Sequence, residues 1–203
     1  MSPVYKLSAS SIKGRTNYGS MLAGNTAFKP TSYESIATVT VGSGGSATVS
    51  FTSISSDYTH LQIRGFGQAS TTSEQYSPLI VQFNSDTTKA NYYTHRLFGN
   101  GASVSAASQQ EYYAGQIQDK YGSAATFSGI VIDILDYKNT NKYKTVRTLI
   151  GGDVNGAGGT VGLYSMLWQN TNAITAIDLA IIGGSSPVFT QYSHFALYGI
   201  KGA

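Results

Sequence analysis

Apolar and polar residues exchange places at every position through most of this chain. Ala37, Val39 and Val41 alternate with Thr38 and Thr40, the loop GSGGS follows at 42–46, and Ala47, Val49 and Phe51 alternate with Thr48 and Ser50. A period of two puts one set of side chains on a buried face. Two such runs around a glycine-rich loop predict a β-hairpin. Leu61 and Ile63 continue the pattern against His60, Gln62 and Arg64, as do Leu79, Val81 and Phe83 against Ile80 and Gln82, and a further strand is expected at 92–98. GIVIDIL at 129–135 reads as a buried strand, followed by a turn at 136–141 (DYKNTN). Tyr143, Thr145, Arg147 and Leu149 then alternate with Lys144, Val146, Thr148 and Ile150. The glycine-rich stretch 151–159 predicts a flexible turn into a strand carrying Val161, Leu163 and Trp168. Ile177, Leu179 and Ile181 follow, and in the last run Phe195 and Leu197 share one face while Tyr192, His194 and Tyr198 share the other.

Roughly nine or ten half-polar strands, each needing cover for one face, predict an all-β fold. The expected form is an antiparallel two-sheet β-sandwich, jelly-roll-like, with an extended N-terminal arm. An immunoglobulin-like sandwich is the alternative, without its usual cysteine pair. A parallel α/β fold is disfavoured, because no amphipathic helices separate the strands.

Two stretches lack the alternation. Residues 1–32 carry isolated apolar anchors and no sustained period, which predicts an arm ordered by docking on another surface, leaving 33–203 as the sandwich domain. A loose terminus is the competing reading. The second stretch, 99–127, reads as a long excursion of the kind used for contacts.

Composition changes the picture in one respect. Only 13 Lys and Arg and 10 Asp and Glu occur among 203 residues, beside 23 Gly and 15 Tyr. Ser, Thr, Asn, Gln and tyrosine hydroxyls must therefore wet the surface, which suits packing against other subunits or sugars better than metabolic catalysis. Lys6, Lys13, Arg15 and Lys29 all precede the first acid, Glu34, so the arm is basic. The cations are too dilute for a nucleic-acid site and fit an acidic protein surface better. The arm residues expected to bind a partner are Tyr5, Lys6, Leu7, Ile12, Lys13, Arg15, Tyr18, Met21, Leu22 and Phe28. The absence of cysteine excludes disulfides, thiolate catalysis and Cys-ligated zinc. No apolar run approaches the roughly 18 residues of a membrane span, and residues 1–30 lack a continuous signal-peptide core.

Candidate chemistry is sparse. His60, His95 and His194 are far apart in strand-like runs, so no metal or catalytic role is expected of them. Asp133 and Asp136 are three apart, which directs them to opposite faces of a strand and not toward one glycosidic bond. DVNG at 153–156 resembles the opening of a calcium loop but lacks the remaining ligands. The glycine clusters carry no Lys-Ser/Thr pair, and no GxSxG elbow is present. No catalytic residue, cofactor or metal is therefore expected. Tyr92, Tyr93, Tyr112, Tyr113, Tyr121, Tyr137 and Tyr143 lie in or beside turn-rich segments, either as rim filling or as contact residues, with Tyr112, Tyr113 and Tyr121 the expected surface-loop contacts.

Four segments carry a resemblance: SYESIATVTVGSGGSATVSFTSISSDYTHLQIRG at 32–65, ANYYTHRLFGNG at 90–101, IDILDYKNTNKYKTVRTL at 132–149 and QYSHFALYGIK at 191–201. They look like a group of virion structural proteins of tailed phages of marine and freshwater bacteria, cyanophages among them. The resemblance implies a non-enzymatic particle component, made in the host cytoplasm and placed on the virion surface. Capsid decoration (cement) and a tail- or fibre-associated role binding host or carbohydrate are both open. The implied partners are the major capsid protein or other virion subunits, further copies of the chain in a homotrimer, and in the fibre case a host surface glycan. No membrane is implied, and no active site transfers.

Overall fold

A computed structural model describes residues 32–121, 125–154, 158–184 and 186–202. The ten arm residues named above lie outside the described residues. Among the described residues twelve strands follow one another: β1 (Tyr33–Thr40), β2 (Thr48–Phe51), β3 (His60–Gly67), β4 (Tyr76–Phe83), β5 (Tyr92–Gly99), β6 (Val104–Gln109), β7 (Tyr113–Gln118), β8 (Ser128–Leu135), β9 (Lys144–Asp153), β10 (Gly159–Trp168), β11 (Ile177–Ile181) and β12 (His194–Ile200). Among the described residues the one helical element is a single 3-10 turn, Lys89–Asn91. The fold is all-β, with two antiparallel sheets. Eight strands form one in the order β1-β12-β3-β8-β9-β10-β5-β6, and four form the other in the order β2-β11-β4-β7.

One buried cluster draws on both sheets. From the wide sheet come Leu61, Ile63, Ile132, Ile134, Val146, Ile150, Trp168, Phe195 and Leu197, and from the narrow one Val49, Phe51, Leu79, Val81, Phe83, Ile117, Ile177 and Leu179. These are the in-facing members of the alternating runs, so period two in the sequence becomes burial in the fold. Trp168 anchors one end. Its ring lies 5.4 Å from that of Phe83, and its indole N–H donates to the Asp86 carboxylate at 2.8 Å, which also accepts from Asn91.

Three sequence expectations are corrected. Residues 37–51 do not form a hairpin: β1 pairs with β12, and β2 pairs with β11 in the other sheet. Alternation identifies a strand but not its partner. The 42–46 loop carries the chain between sheets, turning where the Gly45 N–H bonds the Gly42 carbonyl and Gly45 takes a φ of 71°, a conformation that favours glycine. The 99–127 stretch is not irregular, since it contains β6 and β7. Tyr112 is not a surface contact. It is buried with its ring edge-on to Tyr92 at 5.5 Å, because the segment entering β7 folds over the core and not into solvent.

Lys144 shows how a charge is accommodated inside. Its parity on β9 buries it, and its ammonium donates to three turn carbonyls, those of Asn139 at 2.6 Å, Lys142 at 3.1 Å and Thr171 at 3.0 Å. Three donors meet three acceptors. Burial, and then the Lys142 charge, pull its pKa below the ordinary lysine value. The lysine thereby ties the 136–143 turn to the 169–176 segment.

Candidate functional site

The out-facing side of the eight-stranded sheet is the broadest surface feature, and strand register arranges it in rows. One row runs Arg64, Val131, Leu149, Leu163, Leu97 and Ala106 across β3, β8, β9, β10, β5 and β6. Leu97, Leu149 and Leu163 are 51%, 56% and 52% exposed. Beside it lies a row of Phe66, Gly129, Gly151, Val161, Gly99 and Val104. Its glycines leave backbone open between exposed Phe66, Val161 and Val104. On the other flank, Tyr198, Gln62, Asp133, Arg147, Ser165, His95 and Ser108 make a polar row.

One end of that polar row is tied together by hydrogen bonds. The Tyr33 hydroxyl donates to Gln62 Oε1 at 2.7 Å, and Gln62 Nε2 donates to Asp133 Oδ1 at 2.6 Å. The apolar row has no such internal use. A monomer that leaves three leucines in register on adjacent strands half exposed presents a surface suited to another protein.

A second feature lies at the end of the narrow sheet. A cleft of about 380 Å³ is bordered by Gly44, Gly45, Gln68, Lys120, Thr190 and Tyr192. The Ser193 N–H bonds the Thr190 carbonyl, closing a turn whose third residue, Tyr192, has a φ of 74°. Turns give that position to glycine, and a large aromatic residue there is strained. Tyr192 is 66% exposed and borders the cleft.

The residues singled out by sequence are scattered. His60 Nδ1 accepts the Asp136 N–H at 2.9 Å; His194 Nδ1 meets the Thr40 hydroxyl at 2.9 Å, with its ring stacked on Phe66; His95 lies on the polar row. Asp133 faces Arg147 across the β8–β9 pair, whereas Asp136 sits in the turn with a φ of 48° and pairs with Lys142. The Lys142 ammonium holds the Asp136 carboxyl below its ordinary pKa against a smaller effect of burial. No group of three His, Asp or Glu side chains able to hold a metal occurs among the described residues. Of the DVNG segment at 153–156, positions 155 and 156 lie outside the described residues. Among the tyrosines, Tyr92, Tyr112 and Tyr137 are buried, Tyr113 is half-buried against the core, and Tyr93, Tyr121 and Tyr143 are exposed.

Sequence reasoning did not find the leucine row or Tyr192 as a cleft residue. The signal for the row was present: in 159–168 (GTVGLYSMLW) apolar residues occupy both parities, and only one can face the core. Asp119 also went unnoticed. Its carboxylate is fully buried with neither oxygen in hydrogen-bond geometry. Burial pushes its pKa up, opposed by the neighbouring Thr71 and Ser77 hydroxyls. Comparison with family models, with curated protein sequences and with solved structures finds no match.

Proposed function

We propose that this chain is a non-enzymatic structural subunit of a phage particle, a capsid decoration protein that docks on the shell and stabilises it. The observation that carries the reading is the row of half-exposed leucines on a wide sheet with little charge, a surface suited to subunit packing. A jelly-roll sandwich is the body we assign to it. Setting aside β5, β6, β9 and β10 leaves the orders β1-β12-β3-β8 and β2-β11-β4-β7, two four-stranded sheets whose order follows interleaved Greek keys. On this reading β5-β6 and β9-β10 are insertions that widen one sheet, and they supply most of the leucine row. Residues 1–32 are the docking arm, and a trimer would multiply weak contacts through avidity. Binding only the assembled shell lowers the shell's free energy by mass action.

Co-sedimentation with purified particles tests this. Removing residues 1–30 abolishes binding while 32–203 stays folded. Unchanged decoration by the truncated protein would remove the arm from the account.

The Tyr192 cleft favours a second reading, a tail- or fibre-associated module that binds host glycan. An exposed aromatic face beside amide and hydroxyl groups matches the apolar and polar sides of a sugar ring. A glycan array without signal would dismiss it.

A further inference from the structure

We infer that the β6 edge pairs with the β6 edge of a second copy across a two-fold axis, joining two eight-stranded sheets into one. The proposal does not depend on the particle reading.

Sheet edges carry unpaired backbone groups and are normally blunted. Three of the four edges here are. Along β1 the register shifts between Ser35 and Ala37, and Glu34 sits near Lys201 at 3.5 Å. β2 has only four residues, and side chains occupy backbone groups of β7, the Thr94 hydroxyl donating to the Tyr113 carbonyl at 3.1 Å and the Gln118 N–H donating to the Ser128 hydroxyl at 2.8 Å. β6, reading VSAASQ, has no charge, no proline and no bulge against β5, and Val104, Ser105, Ala106 and Ser108 are all exposed. Nothing guards it.

Its backbone phase and register fit a copy of itself. In an antiparallel pair, bonded and non-bonded residue pairs alternate. At the end of the β5–β6 hairpin the Asn100 N–H bonds the Ser103 carbonyl at 3.2 Å, so the bonded pairs below it fall at 98 with 105, 96 with 107 and 94 with 109. Val104, Ala106 and Ser108 therefore turn their N–H and C=O groups away from β5. A two-fold axis perpendicular to the sheet keeps out-facing residues opposite out-facing ones, which requires a residue to meet its own copy at the centre.

Centring on Ala106 places Val104 opposite Ser108 and Ser105 opposite Ala107. All are small and uncharged, so no like charges or bulky side chains collide. Leu97 already pairs with Ala106, so the apolar row runs from Leu149, Leu163, Leu97 and Ala106 of one copy directly into Ala106, Leu97, Leu163 and Leu149 of the other. Pairing six residues at an edge buries less than the roughly 1,200–2,000 Å² of a standard interface, so the dimer is concentration-dependent.

Sedimentation velocity on the full chain over a concentration series tests the proposal, with circular dichroism confirming each variant's fold. The native chain dimerises. Ala106→Pro, which removes an outward N–H tolerated at an edge, weakens the dimer about ten- to a hundredfold. Ala106→Lys and Ala106→Glu each stay monomeric alone and form a heterodimer when mixed. The chain has no native cysteine, so Ala106→Cys cross-links to its own copy on mild oxidation and Thr175→Cys, on an exposed loop, does not. A native chain that remains monomeric throughout the series would overturn the proposal, as would a dimer indifferent to Ala106→Pro and to the charge pair.

Discussion

Replacing Leu97, Leu149 and Leu163 together by Thr removes the centre of the apolar row while introducing β-branched residues suited to a strand. Each leucine is about half exposed in the isolated chain, at 51%, 56% and 52%. Fully burying a leucine gains about 1.5–3 kcal/mol, so docking has roughly half of that left to gain at each position, about 1 kcal/mol. Three such positions give about 3 kcal/mol, or about a hundredfold in dissociation constant. The same substitutions leave folding nearly untouched, because out-facing changes of this kind stay within about 0.5 kcal/mol apiece. The assay is titration of labelled protein against purified particles, with thermal unfolding of the free protein as the control. A triple variant that melts like the native chain and binds with unchanged affinity would refute the assignment of the leucine row to docking.

Lys144→Met strands three turn carbonyls, so unfolding free energy falls by about 2–4 kcal/mol and Tm by about 5–15 °C; a loss below about 0.5 kcal/mol would show that the lysine does not tie these turns. Asp119 gives a pH signature. Its folded pKa lies above its unfolded value of about 3.9, so both states are protonated below that value and the penalty is absent there. As pH rises through the folded pKa the buried carboxylate ionises and stability is lost. Asp119→Asn therefore stabilises the protein at neutral pH and by much less near pH 3, and denaturant titrations showing an equal effect at both would contradict it. Tyr192→Gly relieves a left-handed backbone and raises stability by about 1 kcal/mol in thermal melts, whereas a decrease would mean that the ring supports the fold.

Alternation located β3, β4 and β11, where the core face carries Leu61 and Ile63, Leu79, Val81 and Phe83, and Ile177, Leu179 and Ile181, with mostly polar or smaller residues between them. It failed on β6, where Val104 is the only large apolar side chain and both faces are wet, so nothing periodic remains to be read. Partner choice was equally hidden. The 42–46 loop has hairpin chemistry, yet β1 and β2 lie in different sheets because their in-facing residues, Val39 and Val49 among them, cover opposite sides of one core. Tyr112 was misplaced by composition, since a tyrosine beside turn residues reads as exposed until the fold lays it on Tyr92. The leucine row needed register: Leu149, Leu163 and Leu97 are separated along the chain and become neighbours only through pairing of β9, β10 and β5.

The most direct measurement is electron cryo-microscopy of the intact particle, with the chain located in the density. The account predicts it on the outer surface of the shell, with the out-facing side of its eight-stranded sheet and the leucine row against a neighbouring subunit. Density for the chain at the tail tip with that sheet face in solvent, or its absence from purified particles, would contradict it.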